Sequence, residues 1–442
     1  MDTQQEHVIA TVEEQKVRFI RLWFTDVTGT LKSVAIPPAE LENAFSSGIG
    51  FDGSAIEGLS RVHEADMVIK PDASTFQILP WDESGEPCAR MFCDIHTPDN
   101  QPARSDPRGV LRRALQRAAQ AGFTFHVHPE VEFYLFQRQT HTNGDPIPID
   151  NGSYFDHVSR PLAQSFRAQA VRELEQMGIP VEFSHHEAGP GQNEIDLRVA
   201  DALTTADNLM SLRTVVEHVA ITQGVEASFM PKPLIDQPGN GLHIHMSLFE
   251  GETNSFFDPL NDYSLSEIGT KFVAGILHHS REISAVTNQH INSYKRLWAG
   301  DEAPAYIAWG KNNRSALIRV PSFTSTEGHS ARIEYRALDS AVNPYLAFAV
   351  ILNAGLAGIE HDYEVPESID TNINALSARE RQIMGIEELP TSLHSAIKLA
   401  QKSELIASTL GEDAFDYFLR NKLREWNDYR QQITAFERKV QY

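Results

Sequence analysis

Apolar and polar positions alternate over Val17 to Phe24 in a run rich in aromatic and branched residues, which predicts a strand. Thr28-Gly29 turns the chain into a second strand over Leu31 to Ile36, and Pro37-Pro38 opens a short helix reaching Phe45. Thr3 to Glu14 reads as a helix, and Thr75 to Leu79 and Cys88 to Ile95 as strands. The polar, proline-bearing stretch Thr97 to Pro102 marks a domain boundary, so residues 1–102 and 103–442 are expected to fold as two units. Beyond it, Ser105-Asp106-Pro107 is a helix start that carries to about Ala121, before Gly122. Pro161 to Met177 predicts another helix, closed by Gly178. Tyr345 to Ile359 is apolar throughout except for Asn353 and falls short of the roughly 20 residues of a membrane span, so it reads as a buried helix. The chain after Thr391 reads as helices of alternating charge. No repeat of solenoid length is present.

Four short strands place chemically active side chains two residues apart, on one face of each strand. His128 to Phe136 sets Glu130 and Glu132 against an apolar back of Val131, Phe133 and Leu135. Gly241 to Leu248 does the same with His243, His245 and Ser247. Gly191 to Arg198 aligns Glu194, Asp196 and Arg198, just after His185-His186-Glu187. Ala331 to Arg336 aligns Arg332, Glu334 and Arg336. Neighbouring carboxylates inside apolar runs repel and are costly to desolvate, and a divalent cation relieves both problems. The four strands together imply a curved sheet with carboxylate, imidazole and guanidinium on one face. Oxygen-rich sites with one or two imidazoles suit Mg²⁺ or Mn²⁺ better than zinc, and arginines beside such ions stabilise a phosphoryl group in transfer. Arg314 and Arg319 add guanidiniums, and Gly300 to Pro304 reads as a loop presenting an acid.

Composition narrows the class. The 442 residues carry 60 acidic side chains against 38 Lys and Arg, a net charge of −22, which excludes the dense basic patches used on nucleic acids and anionic membranes. Two cysteines, Cys88 and Cys93, are too few for a disulfide framework or a thiolate zinc site, and a polar N-terminus with no secretory core leads to a cytoplasmic expectation. Gly53 to Gly58 is followed by Leu59 rather than Lys, so no Walker A loop exists, and no dinucleotide fingerprint follows a strand.

These residues resemble the bacterial type I glutamine synthetase family over essentially the whole chain. The matching motifs, in the family's order, are Phe51-Asp52-Gly53-Ser54, Pro129 to Phe133, His185-His186-Glu187 with Gly191 to Glu194, His243 to Leu248, Asn292 to Leu297, Asn313 to Ala316, Arg332 to Arg336 and Asn343 to Leu346. The resemblance implies an α+β fold: a small N-terminal β-grasp domain and a larger C-terminal catalytic domain with a curved antiparallel sheet flanked by helices. It implies a double-ring homo-oligomer, a dodecamer, with each site at a subunit interface and no nucleic-acid or membrane partner. The implied reaction is ATP-dependent ligation of glutamate with ammonia through a γ-glutamyl phosphate, with at least two Mg²⁺ or Mn²⁺ ions.

Carried over by position, Glu132, Glu187 and Glu194 hold one metal, and Glu130, His243 and Glu334 hold the other. Arg314, Arg319 and Arg336 offset phosphate charge, while Glu182, His245, Ser247 and Arg332 match nucleotide-contacting positions. Arg296 matches the residue that grips the substrate α-carboxylate, with Gly239 and Tyr154 also at the substrate. Asp52, from a neighbouring subunit, is expected to deprotonate ammonium, and Glu302 to close the site and accept a proton.

The chain departs from the family pattern at two substrate positions. Ala55 stands where a second Ser is usual after Asp-Gly-Ser, and Pro238 stands where an Asn supplies a side-chain amide to the amino acid. These changes keep open an alternative in which an amine such as a polyamine or ethanolamine replaces ammonia. Asn372-Ile373-Asn374 lacks the tyrosine that some members adenylylate, and Arg61 matches an arginine tied to feedback inhibition.

Overall fold

The computed structural model describes residues 2–56, 58, 66–81, 85–138, 146–157, 161–298, 303–311, 313–322 and 328–440. Arg61 and Glu302 lie outside the described residues.

The chain opens with α1 (Thr3–Glu14), whose Asp2 cap and Gln5 side chain satisfy each other's backbone N–H groups. A six-stranded sheet follows, made of β1 (Phe19–Thr25), β2 (Leu31–Ile36), β3 (Ile49–Asp52), β4 (Asp66–Pro71), β5 (Gln77–Ile78) and β6 (Cys88–His96), with α2 (Leu41–Ser46) between β2 and β3. The strand order is β2-β1-β6-β4-β3, with β5 also on β6, and β1 runs parallel to β6. Ile20, Leu22 and Phe24 of β1 and Met91, Cys93 and Ile95 of β6 pack with Val8 and Val12 of α1 into a core of their own. The strand expected over Thr75 to Leu79 is shorter than its composition suggests. Asp72 caps a single 3₁₀ turn at Ala73–Thr75 through Ser74, so only Gln77–Ile78 pairs.

The second sheet has eleven strands, and its antiparallel centre carries the site. In chain order these are β7 (Thr124–Gln137), β8 (Val181–His186), β9 (Gln192–Leu197), β10 (Ala200–Asp201), β11 (Val225–Ser228), β12 (Leu242–Glu250), β13 (Thr253–Asn254), β14 (Tyr306–Gly310), β15 (Ala316–Arg319), β16 (Ile333–Tyr335) and β17 (Glu387–Glu388). The main path is β17-β14-β15-β16-β12-β7-β9-β8, antiparallel except at β14–β15.

Helices α3 (Pro107–Gln120), α4 (Pro161–Gln176), α5 (Ala202–Gln223), α6 (Glu267–Thr287), the short α7 (Ser293–Leu297) and α8 (Pro344–Glu360) flank the sheet. The predicted apolar helix is α8, buried from Pro344 through Gly358. No helix among the described residues is long and apolar enough to cross a membrane.

A buried guanidinium ties the two sheets' surroundings together. Arg108, at the start of α3, donates to Asp72 Oδ2 at 2.9 Å, Asp94 Oδ1 at 2.7 Å and both carboxylate oxygens of Asp207 on α5 at 3.1 and 2.8 Å. Such a fork satisfies several acids at once, which makes burial of the charge tolerable. Asn343 and Gln289 add side-chain bonds to the carbonyls of residues 26–28, in the turn after β1.

Candidate active site

Register converts four separately patterned strands into one surface. On β7 and β12, Glu130 faces His243 and His128 faces His245. On the other side of β7, Glu132 faces Glu194 and Glu130 faces Asp196 of β9. Glu194 in turn faces His185 of β8, while Glu334 of β16 faces both His245 and Arg319. The period-two faces predicted for each strand therefore lie side by side, and every residue of β9 is buried, front and back.

One group of ligand-bearing side chains gathers around Glu130. His245 Nε2 lies 2.6 Å from Glu130 Oε1, and His243 Nδ1 lies 3.2 Å from Oε2 and 4.0 Å from Glu334 Oε1. Ligand atoms of Glu130, His245 and Glu334 come within 4.8 Å of one another, close enough to share an ion. Burial pushes both carboxyls up. The hydrogen bonds from His243 and His245 overcome this at Glu130, holding it well below the usual carboxylate range. At Glu334 the Arg336 guanidinium and both histidines bring the carboxyl down to about 2. Arg319 donates to one Glu334 oxygen at 2.5 Å and Arg336 to the other, so the acid is held ionised between two cations.

The second group lies along β9. His185 Nε2 is 3.1 Å from Glu194 Oε1, and His185 Nδ1 is 3.6 Å from Glu187. Glu132 Oε2 accepts the backbone N–H of Gly241 at 2.8 Å and an N–H of Gln192 at 3.2 Å. Burial first, then the charges of Glu194 and Glu187, push the Glu132 carboxyl far above its ordinary range. Asp196 is fully buried and pushed up to about 11 by burial and by Glu194 and Glu130, and among the described residues no donor is placed on either of its ionised carboxyl oxygens. Oxygen ligands crowded with too few donors fit a hard divalent cation, as the donor types predict.

The expected nucleotide positions also assemble. Glu182 lies 3.1 Å from His128, whose ring stacks on His245 at 5.2 Å, and Arg332 Nε reaches His245 Nδ1 at 3.3 Å. Ser247 continues the β12 face, buried and opposite His126. Burial and the neighbouring His245 lower His128 to about 4, so it is neutral near pH 7. Arg314 is exposed, and its carbonyl accepts Arg336 Nε.

At the far end, Arg296 is buried and donates to the carbonyls of Ala337 at 2.9 Å and Arg336 at 3.1 Å. Gly241 makes room for this arrangement, since a Cβ there would sit 2.8 Å from Arg296 Nη2 and 3.0 Å from His243 Nε2. Arg296, Gly239, Glu132 and Glu187 line a common cavity of about 430 Å³. Tyr154 is half-exposed and stacks on Phe155 beside the His185 ring. Asp52 stands apart from this grouping: it is exposed at the end of β3, in the N-terminal sheet, and its Oδ1 accepts Ser54 N–H and Oγ–H at 3.0 and 2.6 Å.

Sequence reasoning gave no role to His128, His185, Gln192 or Asp196, although each falls within a segment it singled out. Asp196 was visible as the i+2 neighbour of Glu194. The others act across strands, where no spacing rule reaches.

Two family descriptions divide the chain between them. Residues 16–98 match the family description "Glutamine synthetase, beta-Grasp domain" and residues 104–441 "Glutamine synthetase, catalytic domain". A protein named glutamine synthetase from Mycolicibacterium smegmatis is 56% identical over 99% of both chains. One of the same name from Mycobacterium tuberculosis is 55% identical over 99% of this chain and 98% of its own. The solved structure of GmaS in complex with ADP superposes with a TM-score of 0.88 at 30% identity, covering 98% of each chain.

Proposed function

Because the chain belongs to the glutamine synthetase family, it is a glutamate–ammonia ligase that makes L-glutamine with ATP, and we propose that it works through a γ-glutamyl phosphate at the face of β7, β9, β12 and β16. The observation that carries the site assignment is the opposition of Glu132 to Glu194 and of Glu130 to His243 across β7, which concentrates carboxylate charge where a cation is required.

In the first step the γ-carboxylate of glutamate attacks the γ-phosphorus of ATP and ADP leaves. In the second, ammonia attacks the acyl carbon and inorganic phosphate leaves, its departure being far easier than that of hydroxide. Glu132, Glu187 and Glu194 are the proposed ligands of one Mg²⁺ or Mn²⁺ ion, and Glu130, His243 and Glu334 those of another. When bound, such ions offset charge on the phosphate oxygens. Arg314, Arg319 and Arg336 add positive charge at the same end, where Arg319 and Arg336 already converge on Glu334. Glu182, His245, Ser247 and Arg332 are assigned to the nucleotide, Arg296 and Gly239 to the amino acid, and Tyr154 to the ammonium pocket. Asp52 of a neighbouring subunit takes a proton from ammonium, and Glu302 accepts one as the amide forms.

This division of labour calls for self-association, and we assign the chain to a double-ring dodecamer in the cytoplasm, with domains at 1–102 and 103–442. Support comes from the position of Asp52 outside the described site residues of its own chain and the separate cores of the two sheets.

The deciding experiment is phosphate release from Mg²⁺-ATP and L-glutamate, with ammonium compared against putrescine, spermidine and ethanolamine. Saturable turnover with ammonium alone is expected, as the 55–56% relatives' names suggest. Turnover only with an amine would reassign Ala55 and Pro238 to the choice of a larger acceptor.

A further inference from the structure

Asp150 lies on the chain between β7 and β8, is buried, and has no part in the phosphate chemistry. A single oxygen, Oδ1, accepts from three directions: the Gly191 N–H at 2.8 Å, His186 Nε2 at 3.0 Å and the Gly152 N–H at 3.1 Å. Burial pushes the carboxyl up, and the bonds from His186, Gly152 and Gly191 outweigh it and hold the group below its ordinary range. His186 is buried as well, and its other ring nitrogen, Nδ1, lies 2.6 Å from the Glu187 carbonyl oxygen.

Each of the three bonds leads to a different part of the site. Gly191 turns the chain into β9 with positive φ, and a Cβ there would sit 2.7 Å from the Leu135 carbonyl oxygen, so this close approach requires glycine. His186 stands between His185 and Glu187 at the end of β8. Gly152 stands two residues before Tyr154. The other side of Tyr154 is held by β8 too, because the Phe155 N–H donates to the His186 carbonyl at 3.0 Å. Phe155 takes a φ of 61°, a left-handed conformation that bulky side chains avoid. In that conformation its ring stacks on Tyr154 with 4.2 Å between centroids. Both rings meet the His185 ring edge-on, at 4.7 Å from Phe155 and 5.4 Å from Tyr154.

Glu187 keeps a second anchor, since its own N–H donates to the Gln192 carbonyl at 2.9 Å, whereas residues 150–155 lie outside every strand. Loss of the Asp150 bonds therefore reaches Tyr154 before it reaches the acids of β8 and β9. We propose that Asp150 is a positioning residue for the ammonium pocket: it fixes Tyr154 against the strand pair that carries Glu187 and Glu194, and so sets where the acceptor nitrogen waits beside the acyl phosphate. This rests on the ligase reading above. Asp150 acts through Tyr154 and enters neither phosphoryl transfer nor amide formation. A pocket displaced by its missing support binds its ligand less tightly while the remaining steps proceed, so KM for ammonium carries the effect.

The test measures ADP release by wild type, Asp150→Asn and Asp150→Ala with ammonium and with hydroxylamine, a neutral nucleophile that needs no pocket for a cation. Asp150→Ala leaves three donors without their acceptor and is expected to raise KM for ammonium by about 10- to 30-fold. Asp150→Asn keeps an oxygen in place without the charge and should raise it by about threefold. KM for glutamate and for ATP, and turnover with hydroxylamine, should stay within about twofold of wild type. A merely structural role would weaken all of these alike. Should Asp150→Ala fail to fold, the shift in Asp150→Asn decides. An ammonium KM unchanged in the folded variants, or a rise in KM for glutamate and ATP as large as that for ammonium, overturns this proposal alone. Absence of ammonium-dependent ADP release from the wild type overturns the ligase reading and this proposal with it.

Discussion

Glu132 on β7 stands directly opposite Glu194 on β9, and both are buried. Like charges facing each other across a strand pair are destabilising, and burial away from water raises the cost. A cation bound at the pair, as proposed, would couple binding to stability.

Addition of Mg²⁺ to protein stripped by a chelator should raise the unfolding temperature, because ligand binding to the folded state adds about 2.7 kcal/mol at a concentration 100 times Kd. Glu194→Gln should raise the unfolding temperature of the stripped protein by a few degrees while removing most of the Mg²⁺-dependent increment. Calorimetry of both proteins with and without Mg²⁺ checks this. A stripped Glu194→Gln protein less stable than stripped wild type would refute the repulsion argument.

Glu334 sits between Arg319 and Arg336 and close to His243 and His245. Glu334→Ala should lower ADP formation by about 10³-fold, since it removes a proposed cation ligand and releases two arginines from their positions. The folded fraction, followed by circular dichroism, should stay high enough to attribute the loss to chemistry. Full retention of activity would remove Glu334 from the metal set.

Asp52 has its partners within its own turn and none among the described site residues of its own chain. Light scattering should report a ring assembly of about 0.6 MDa, twelve copies of 49.5 kDa, rather than a monomer. Asp52→Ala and Glu334→Ala proteins, each inactive alone, should regain partial activity after joint dissociation and reassembly. Some sites would then combine an intact Asp52 from one chain with an intact Glu334 from another. A monomeric, active enzyme would exclude this arrangement.

Acid should loosen the contact between the two domains through Asp72. Burial raises its carboxyl, but Arg108, Ser74 and Arg112 outweigh that and hold it below the ordinary value of 3.8. A depressed folded pKa means the stabilisation is complete above about pH 4 and disappears as pH falls through the folded value. Asp72→Asn should therefore cost about 2 kcal/mol near pH 7, the size of a charge-assisted bond. Its unfolding temperature should approach that of wild type as the pH falls below the ordinary carboxylate range. Parallel curves over the whole range would show that Asp72 contributes no charge-dependent term.

Much of the fold was legible locally. The boundaries of α1 and β2 follow from capping and alternation, and α8 from an apolar run that no surface helix would carry. Gly122 and Gly178, both with positive φ, follow α3 and α4 as their positions predicted. The strands β3 and β4 were not legible. Ile49–Asp52 is four residues interrupted by Gly50, and Asp66–Pro71 ends in a proline, so each forms because β6 offers an edge to β4 and β4 offers one to β3.

The sequence by itself determined which side chains share a face within each strand, because the side-chain period of an extended chain is two wherever that strand ends up. It thereby selected Glu130 with Glu132, His243 with His245, Glu194 with Asp196, and Arg332 with Glu334 and Arg336. Only the tertiary structure decided that Glu130 meets His243 from 113 residues away, that Glu132 meets Glu194, and that His245 lies against Glu334. Those meetings depend on strand register, and register is set by the packing of both sheet faces against helices distant in the chain. A one-residue slip of β9 would turn Glu194 and Asp196 to the opposite face, and nothing in the spacing of β9 alone forbids it.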